Sequence, residues 1–278
     1  MEEIKNQNVT VISPASGLNL LKLKELWAYR ELLYFLIWRD IKVRYKQTAV
    51  GWAWAVIQPF TAMVIFSIFF GKLAHISSEG LPYPIFAYAA LVPWTYFANS
   101  LTQATNSLVE HRAVITKVYF PRLILPLSSV LGGLVDFCIA FLVLIGMMFF
   151  YHIVPSPGLW TAPFFLLLLI ITAFSSSLWL AALNVEYRDV RYAVGFLVQI
   201  WLFASPVVYS ATIVPLKWRF FYGLNPMVAV IEGFRYALLG GEFPHAGMLI
   251  TSACTVVSFL IAGLFYFQRL EENFADVV

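Results

Sequence analysis

Between Phe137 and Val185 the chain runs for 49 consecutive residues without an Asp, Glu, Lys or Arg. The stretch is interrupted only by the turn sequence Pro-Ser-Pro-Gly at residues 155–158. A helix needs about 20 apolar residues to cross the roughly 30 Å hydrocarbon core of a bilayer, because each residue adds about 1.5 Å. A charge-free stretch of this length is too long for one helix or for a soluble core element. It predicts two membrane spans joined by a short hairpin.

Apolar windows with few charges recur along the rest of the chain. Of the 278 residues, 61% are hydrophobic and 12% are charged, whereas an average soluble domain has about 25% charged residues. Both observations predict an all-α integral membrane protein with six transmembrane helices. The predicted spans cover residues 52–71, 83–109, 123–150, 159–183, 192–213 and 246–268.

The basic residues predict how these spans are oriented. An even number of spans places both termini on one side of the membrane, and that side carries fourteen of the eighteen Lys and Arg residues. Cytoplasmic loops of membrane proteins have an excess of Lys and Arg. We therefore expect both termini in the cytoplasm. A flexible segment over residues 1–24 and a tail over 271–278 are expected to flank a single transmembrane domain over 25–270.

The region before the first span predicts a helix at the membrane surface. Over residues 25–46, charged side chains recur on one helical face opposite a row of Leu and Ile, which is typical of an amphipathic helix lying on a membrane. Asp40 and Arg44 fall on or near the apolar side one turn apart, so we expect them to pair with each other. The helix serves either as a membrane anchor or as a docking surface. Its charged face contains Glu31, Arg39, Lys42 and Lys46.

The loop before the last span contains helix signals. Asn225 followed by Pro226 is typical of a helix N-cap and first turn, and the glycine pair that begins at Gly240 marks the end of the following apolar run. Residues 215–222 predict a second short helix upstream. Both segments are rich in aromatic residues, which favours the membrane interface or a shallow re-entrant position over open water. We expect short re-entrant helices over about residues 214–240.

No motif indicates that this chain catalyses a reaction alone. The pair Gly71-Lys72 has Phe66 in place of the leading glycine of a phosphate-binding loop, which excludes ATP binding through that motif. The four histidines lie in four separate loops, so we expect no metal site. Cys138 and Cys254 lie in apolar stretches, where helix packing is the usual role of cysteine. A net charge of +3 is too small to indicate nucleic-acid binding.

Polar residues inside the predicted spans are candidates for function, because each costs free energy in lipid unless it faces water or a partner helix. Asn99, Gln103 and Asn106 recur at steps of four and three, which places them on one face of the second span. That face either lines a hydrated conduit or forms interhelical hydrogen bonds. Asp136, a carboxylate deep in a span, is either a proton or ion site or is paired with a group on a neighbouring helix.

Several segments resemble the permease subunits of ATP-binding-cassette polysaccharide exporters. The resemblance extends over about residues 25–270, and its motifs are specific in combination although each is weak alone. The segments that carry it are residues 29–33, 38–48, 51–52, 58–59, 116–126, 135–137, 184–191, 205–209 and 225–226.

The resemblance implies a homodimer that works with two copies of a separate ATPase. Such permeases move lipid-linked polysaccharide, for example O-antigen, capsule or teichoic-acid-like polymers, outward across the bacterial cytoplasmic membrane. ATP and magnesium would bind to the partner subunit, and this chain would bind no cofactor. The resemblance assigns ATPase coupling to Arg39, Lys42, Arg44, Lys46, Glu110, Arg112, Lys117, Arg122, Glu186, Arg188, Asp189 and Arg191, and it assigns an outer gate to Asn225, Pro226, Glu232, Phe234 and Arg235.

Other classes of function are compatible with parts of this pattern. A drug or lipid exporter permease of the same superfamily also has long, aromatic-rich spans. A membrane-embedded glycosyltransferase needs clustered carboxylates for a metal and a nucleotide sugar, whereas Glu110, Glu186 and Asp189 sit beside basic residues in two short loops. A proton-coupled carrier needs an intramembrane relay, for which Asp136 alone is thin support.

Overall fold

A computed structural model of the chain describes residues 23–46, 51–241 and 243–271. Within these ranges the regular secondary structure is entirely helical. The predicted flexible segment and tail lie outside the described residues apart from their inner edges. The α-helices are α1 (Leu23–Ala28), α2 (Arg30–Lys46), α3 (Trp54–Phe66), α4 (Tyr83–Glu110), α5 (Arg112–Ile115), α6 (Ile124–Gly132), α7 (Leu134–Phe150), α8 (Ala162–Glu186), α9 (Val190–Ala204), α10 (Leu216–Tyr222), α11 (Pro226–Leu239) and α12 (Ala246–Glu271).

Among the residues that the structure describes, four helical segments are long and apolar enough to cross a membrane. They correspond to the first, third, fourth and sixth predicted spans. The second predicted span is α4, which has 28 residues but lies outside this apolar set. An all-helical membrane protein is therefore confirmed, whereas the count of six spans stays a prediction. The four segments are Gly51–Leu73, Ile124–Phe150, Pro157–Glu186 and Ala246–Glu271.

The predicted extent of the fifth span, residues 192–213, is wrong, because α9 ends at Ala204 after 15 residues. At about 1.5 Å per residue this helix is about 22 Å long, which is less than the roughly 30 Å of a hydrocarbon core. Ser205 has an extended backbone, with φ −109° and ψ 151°, since a following proline crowds the α conformation. Pro206 also lacks the N–H that a continuing helix requires.

The third span approaches α4 closely at the junction between α6 and α7. A Cβ added to Gly133 would lie 2.7 Å from the Ser100 hydroxyl oxygen and 3.2 Å from Cε2 of Tyr96. The Tyr96 hydroxyl donates a hydrogen bond of 3.0 Å to the carbonyl of Val130. Because glycine has no side chain, the two helices can pack at this short distance. The contact brings Asp136, three residues later, close to α4.

Two helices form the centre of the bundle. α4 buries 19 of its 28 residues, and α11 buries 13 of its 14. The other helices pack around this pair. By contrast, α3 exposes Phe60 and Ile65, and α9 exposes Phe196 and Phe203. Exposed apolar side chains of this kind are suited to contact with lipid or with another protein chain.

The carboxyl-terminal ends of α4, α8 and α12 lie at the same end of the bundle. Asn184 of α8 donates a hydrogen bond of 2.9 Å to the carbonyl of Thr105 in α4. Trp179 of α8 stacks on Tyr266 of α12, with ring centroids 5.0 Å apart. We call this end of the molecule the charged end. It comprises residues 110–122, residues 186–191 and Glu271.

The predicted surface helix over 25–46 is present as two helices, α1 and α2, which are separated at Tyr29. Leu36 of α2 is buried in an apolar cluster with residues of α4, α6 and α12. The opposite side exposes Tyr34, Phe35 and Trp38. Aromatic side chains of this kind are enriched at membrane interfaces. α2 therefore packs on the bundle with one side and presents aromatic rings on the other.

The predicted ion pair between Asp40 and Arg44 is wrong. Nη2 of Arg39 lies 2.7 Å from the Asp40 carboxylate, and Arg44 pairs instead with Asp136 of α7. The physical reason is burial, because an ion pair gains more from attraction where water is partly excluded than on a solvated helix face.

Gly233, in the middle of α11, is predicted to be essential for packing. A Cβ added there would lie 2.1 Å from Cδ1 of Phe165, whose side chain is buried, so an alanine would force the ring or the helix to move. We expect Gly233→Ala to lower the free energy of unfolding by about 1–3 kcal/mol. The measurement is the melting temperature of the purified protein in detergent.

Gly195→Ala is the matched control for this substitution. Gly195 is also a helical glycine, but an added Cβ would have no neighbour within 4 Å. Alanine has a higher helix propensity than glycine, so stability should stay constant or rise slightly. Equal melting temperatures for the two variants would contradict the close packing of α11 against α8.

Candidate functional site

The residues predicted to contact an ATPase divide into two groups. Those of the first group have exposed side chains and are available to a partner. Those of the second group are half-buried and make contacts within the chain. The exposed residues are Lys42, Lys46, Glu110, Arg112, Lys117, Glu186, Arg188, Asp189 and Arg191, and the half-buried ones are Arg39, Arg44 and Arg122.

Arg39 ties α2 to the carboxyl end of α4. Its Nη2 donates both to Asp40 and to Nε2 of His111. Nδ1 of His111 lies 2.7 Å from the carbonyl of Ser107. Because a carbonyl can only accept, Nδ1 carries the proton and Nε2 is free to accept from the guanidinium. The two contacts together fit the Nδ1–H tautomer of His111.

Arg122 joins the start of α6 to the end of α12. Its backbone N–H donates a hydrogen bond of 3.1 Å to Oε1 of Glu271, and its guanidinium donates to the carbonyl of the same residue. Arg122 therefore holds the charged end together, in addition to any role it has toward a partner.

Asn184 anchors the exposed loop 186–191, and the sequence motifs did not single out this role. Its side chain is 3% exposed. Besides the bond to the Thr105 carbonyl, its Nδ2 lies 3.4 Å from Oδ1 of Asn106. The sequence signal that could have indicated this role is the position of Asn184, a polar amide at the end of the long apolar stretch. The bonds fix the base of the loop to α4, so the charged residues that follow start from a rigid position.

The three amides predicted to line a conduit face different neighbours. Asn99 lies 3.4 Å from Oε1 of Gln58 on α3. Gln103 accepts a hydrogen bond from Arg44 of α2. Asn106 donates to the carbonyl of Thr102 at 3.0 Å and lies beside Asn184. Each amide is thus hydrogen-bonded within the bundle.

Asn99 also lines a small cleft of about 20 Å³ between α3, α4 and α7, which has room for about one water molecule. Ala55, Tyr96, Gly133 and Asp136 contribute to its walls. Gln103 and Asn106 do not line it. The structure therefore separates the three predicted conduit residues, with Asn99 at a cleft and the other two in contacts between helices.

Asp136 is paired, as one of the two interpretations of the sequence expected. Its Oδ2 accepts from Nη1 of Arg44, and its Oδ1 accepts from the hydroxyl of Tyr45. The side chains of Arg44 and Asp136 are 25% and 18% exposed. Removing one member of such a pair leaves the other charge without compensation, at a cost of about 3–5 kcal/mol for a fully buried pair and less for a partly exposed one.

The predicted boundaries of α11 are confirmed. Oδ1 of Asn225 accepts from the backbone N–H of Met227 at 3.1 Å and from Nε1 of Trp201 at 2.9 Å, and Pro226 occupies the first turn. At the other end Gly240 has φ +77°, a left-handed conformation that glycine adopts without steric cost. The short helix predicted upstream is also present, as α10.

Glu232 and Arg235 hold the non-helical backbone that follows α9. The guanidinium of Arg235 donates to the carbonyl of Val207 at 3.0 Å and to that of Tyr209 at 3.2 Å. Oε1 of Glu232 accepts from the backbone N–H of Ala211 at 3.1 Å. The break at Pro206 thus leaves polar backbone groups inside the protein, and two charged side chains of α11 satisfy them.

Arg235 and Glu232 also form an internal ion pair. Nη1 of Arg235 lies 3.0 Å from Oε1 of Glu232, and the guanidinium carbon lies 3.6 Å from the centroid of the Phe86 ring. Such cation–π contacts are worth about 2 kcal/mol when desolvated. Arg235 is 2% exposed. These two residues, which the resemblance assigns to an outer gate, are therefore enclosed by the bundle.

The exposed aromatic side predicted for this region belongs to α10. Phe234 of α11 is buried and packs on Phe137, with ring centroids 5.8 Å apart. Trp218, Phe220 and Phe221 of α10 are exposed. The physical reason is that α11 is surrounded by α4, α8 and α12, which leaves α10 at the periphery.

The arrangement offers binding surfaces and paired charges. Within residues 23–46, 51–241 and 243–271, no three His, Cys, Asp or Glu side chains come close enough together to hold a metal ion. The features that stand out are the exposed charged loops at one end, the polar contacts between helices, and the buried charges of α11.

Comparison with known proteins connects these features to one family. The family described as ABC-2 type transporter matches residues 31–239. The chain is 29% identical to the O-antigen export system permease protein RfbA of Myxococcus xanthus, over 92% of this chain and 98% of the relative. It is 28% identical to RfbA of Klebsiella pneumoniae over 89% and 95%, and 21% identical to the polysialic acid transport protein KpsM of Escherichia coli over 85% and 92%. The chain belongs to the ABC-2 type transporter family.

Proposed function

We propose that this chain is the transmembrane subunit of an ATP-driven exporter that moves lipid-linked polysaccharide outward across the bacterial inner membrane. The observation that carries the proposal is the similarity, along nearly the whole chain, to O-antigen export permeases of two bacteria. Relatives are named for O-antigen export and for polysialic acid transport. The cargo of this chain is then an O-antigen, a capsule polysaccharide or a teichoic-acid-like chain.

The energy source in this proposal is a separate ATP-binding-cassette ATPase. ATP and magnesium bind to that subunit, two copies of which work with a homodimer of this chain. The charged end is the cytoplasmic side, with both termini, and it meets the ATPases. Support comes from the exposed basic residues at that end, among them Arg112, Lys117, Arg188 and Arg191, because cytoplasmic loops are enriched in Lys and Arg.

The cargo is tested in the reconstituted complex. We expect lipid-linked polysaccharide to stimulate ATP hydrolysis by the complex in proteoliposomes, because cargo that fits the transport path shifts the complex toward its active conformation. The matched control is the same lipid carrier without its glycan, which should stimulate less. Equal stimulation by the two lipids would contradict polysaccharide as cargo and would favour a lipid exporter.

Coupling to the ATPase is assigned to the exposed loop 186–191, which Asn184 holds in place. We expect the double charge reversal Arg188→Glu with Arg191→Glu to weaken ATPase binding about tenfold to a hundredfold, because both charges would then repel a complementary surface. Co-purification and ATP hydrolysis are the measurements. Lys217→Glu, at an exposed position of α10, is the control and should bind normally. Normal binding and export by the double variant would remove this loop from the interface.

The conduit is tested by thiol labelling. In a background with Cys138 and Cys254 replaced by serine, we expect a cysteine at Asn99 to react with a water-soluble maleimide in the ATPase-bound complex, because Asn99 lines the cleft. Cysteines at Gln103 and Asn106 should react if the face predicted from the sequence opens during transport. Ala104→Cys is the control, since Ala104 is fully buried in the same helix. Protection of all three positions under every nucleotide condition would favour a purely structural role for the amides.

The outer gate is assigned to α11 and the backbone segment that it holds. Supporting this assignment, Asn225 bonds to Ser205, Arg235 bonds to Val207 and Glu232 bonds to Ala211. All three partners lie in the region that follows α9. Opening by α11 alone would break those bonds and leave charges without partners in the membrane, which is costly. The gate therefore moves α11 together with the segment 205–211.

A further inference from the structure

Three helices meet at one polar cluster within the bundle. Asp136 of α7 accepts hydrogen bonds from Arg44 and Tyr45, both of α2. The second terminal nitrogen of Arg44 donates to Gln103 of α4. Although Arg44 and Asp136 are 92 residues apart in the chain, the cluster joins α2, α4 and α7 through charged and polar contacts.

The cluster lies near the middle of a helical segment that is long and apolar enough to cross a membrane. Asp136 is twelve residues beyond the start of Ile124–Phe150, which corresponds to about 18 Å along a helix. Charged groups at such depth are costly, and where they persist they are paired and mark functional positions. Packing alone already attaches the other part of α2, because Leu36 is buried beside Leu108. The Arg44–Asp136 ion pair is therefore not needed merely to attach α2 to the bundle.

The outer side of the same helical turns is open to a partner. Lys42 is two residues before Arg44 and Lys46 is two residues after it. At about 100° per residue, both lysines therefore lie on the side of the helix opposite Arg44. Both side chains are exposed, and Nζ of Lys42 lies 5.2 Å from the centroid of the Trp38 ring. α2 thus has one charged side directed at the transmembrane helices and another directed outward.

The inner side of the cluster borders the cleft described above. Asp136 and Asn99 both line that small cleft. One carboxylate therefore contacts α2 and forms part of a cleft wall. If α2 moves together with Arg44, Asp136 should move with them, because its carboxylate is bonded to Arg44. The wall of the cleft that contains Asp136 would then shift as well.

We propose that Arg44 and Asp136 are a positioning pair that transmits movement of α2 to α7 and so changes the width of the cleft beside Asn99. The inference rests on the proposed function for the partner that moves α2, and it is independent of the cargo. Arginine is required at position 44 because its planar fork donates to Asp136 and Gln103 at once, whereas a lysine presents a single point charge.

The test measures maleimide labelling of Asn99→Cys, in the background with Cys138 and Cys254 replaced by serine, with and without ATP in the ATPase-bound complex. We expect labelling of the otherwise unaltered complex to depend on ATP. In Asp136→Asn the complex should still assemble and hydrolyse ATP, while the dependence of labelling on ATP is lost. Arg44→Lys should lose the same dependence. Export per ATP hydrolysed should fall about 5- to 150-fold, the range of a typical coupling between sites.

Two further variants separate coupling from mere stability. The charge exchange Arg44→Asp with Asp136→Arg restores the ion pair and should recover part of the ATP-dependent labelling. Tyr45→Phe removes one hydrogen bond to Asp136 and should cause a partial loss. Tyr88→Phe is the matched control, because the buried Tyr88 hydroxyl has no hydrogen-bond partner among the described residues, and it should behave as the unsubstituted protein.

Different results contradict the positioning pair and the proposed cargo. Labelling that depends on ATP in Asp136→Asn as strongly as in the otherwise unaltered complex would overturn the proposal, as would labelling that never depends on ATP. Should Asp136→Asn fail to accumulate, Arg44→Lys decides, because it keeps the positive charge and removes the planar fork; an unchanged dependence on ATP in that variant would overturn the proposal. A complex with ATP-dependent labelling that exports no polysaccharide contradicts the proposed cargo and leaves the positioning pair standing.

Discussion

Hydrocarbon offers no partner for a backbone N–H or C=O group, and the polar contacts of this protein follow from that constraint. Helices satisfy their own backbone, but α9 ends at Ala204 where Pro206 prevents a continuing helix. The carbonyl groups that follow are satisfied by side chains from elsewhere. Arg235 donates to two of them, and the Tyr83 hydroxyl donates to the carbonyl of Val208 at 2.7 Å. A proline just beyond the end of one helix thus explains a buried arginine in another.

The same contacts explain why α11 is the most enclosed helix of the region between α9 and α12. A guanidinium buried among apolar side chains needs a counter-charge, and Glu232 supplies it one turn away in the same helix. Glu232 in turn accepts from the backbone of Ala211. Residues that a gate would need to move are therefore bonded to a common segment, so α11 and residues 205–211 form one mechanical unit.

At the other end of the bundle, the arginines have two different roles. Arg188 and Arg191 are exposed and are available to a partner, whereas Arg44 and Arg122 are turned inward. Burial decides between these uses because exposed ion pairs are weak, while a charge that is excluded from water requires a partner. The inward arginines join elements that are distant in the chain, and the outward ones lie on loops held in place by Asn184.

The sequence by itself determined the features that depend on local or short-range physics. Hydropathy gave the membrane class and most span boundaries, and Asn225, Pro226 and Gly240 marked α11 through capping rules that involve only neighbouring residues. Motif combinations pointed to the family. The extent of α9 was misjudged because apolar composition continues past Pro206, although the proline itself carried the correct signal.

Only the tertiary structure decided which polar groups meet. Asp136, and not Asp40, accepts the hydrogen bond from Arg44. Arg235 donates to the carbonyl groups of Val207 and Tyr209. Helix-spacing rules pair residues three or four positions apart in the same helix. They contain no information on which side chains a neighbouring helix places at the same depth. In the membrane interior the partner that avoids an uncompensated charge prevails, and that partner is fixed by how the helices pack.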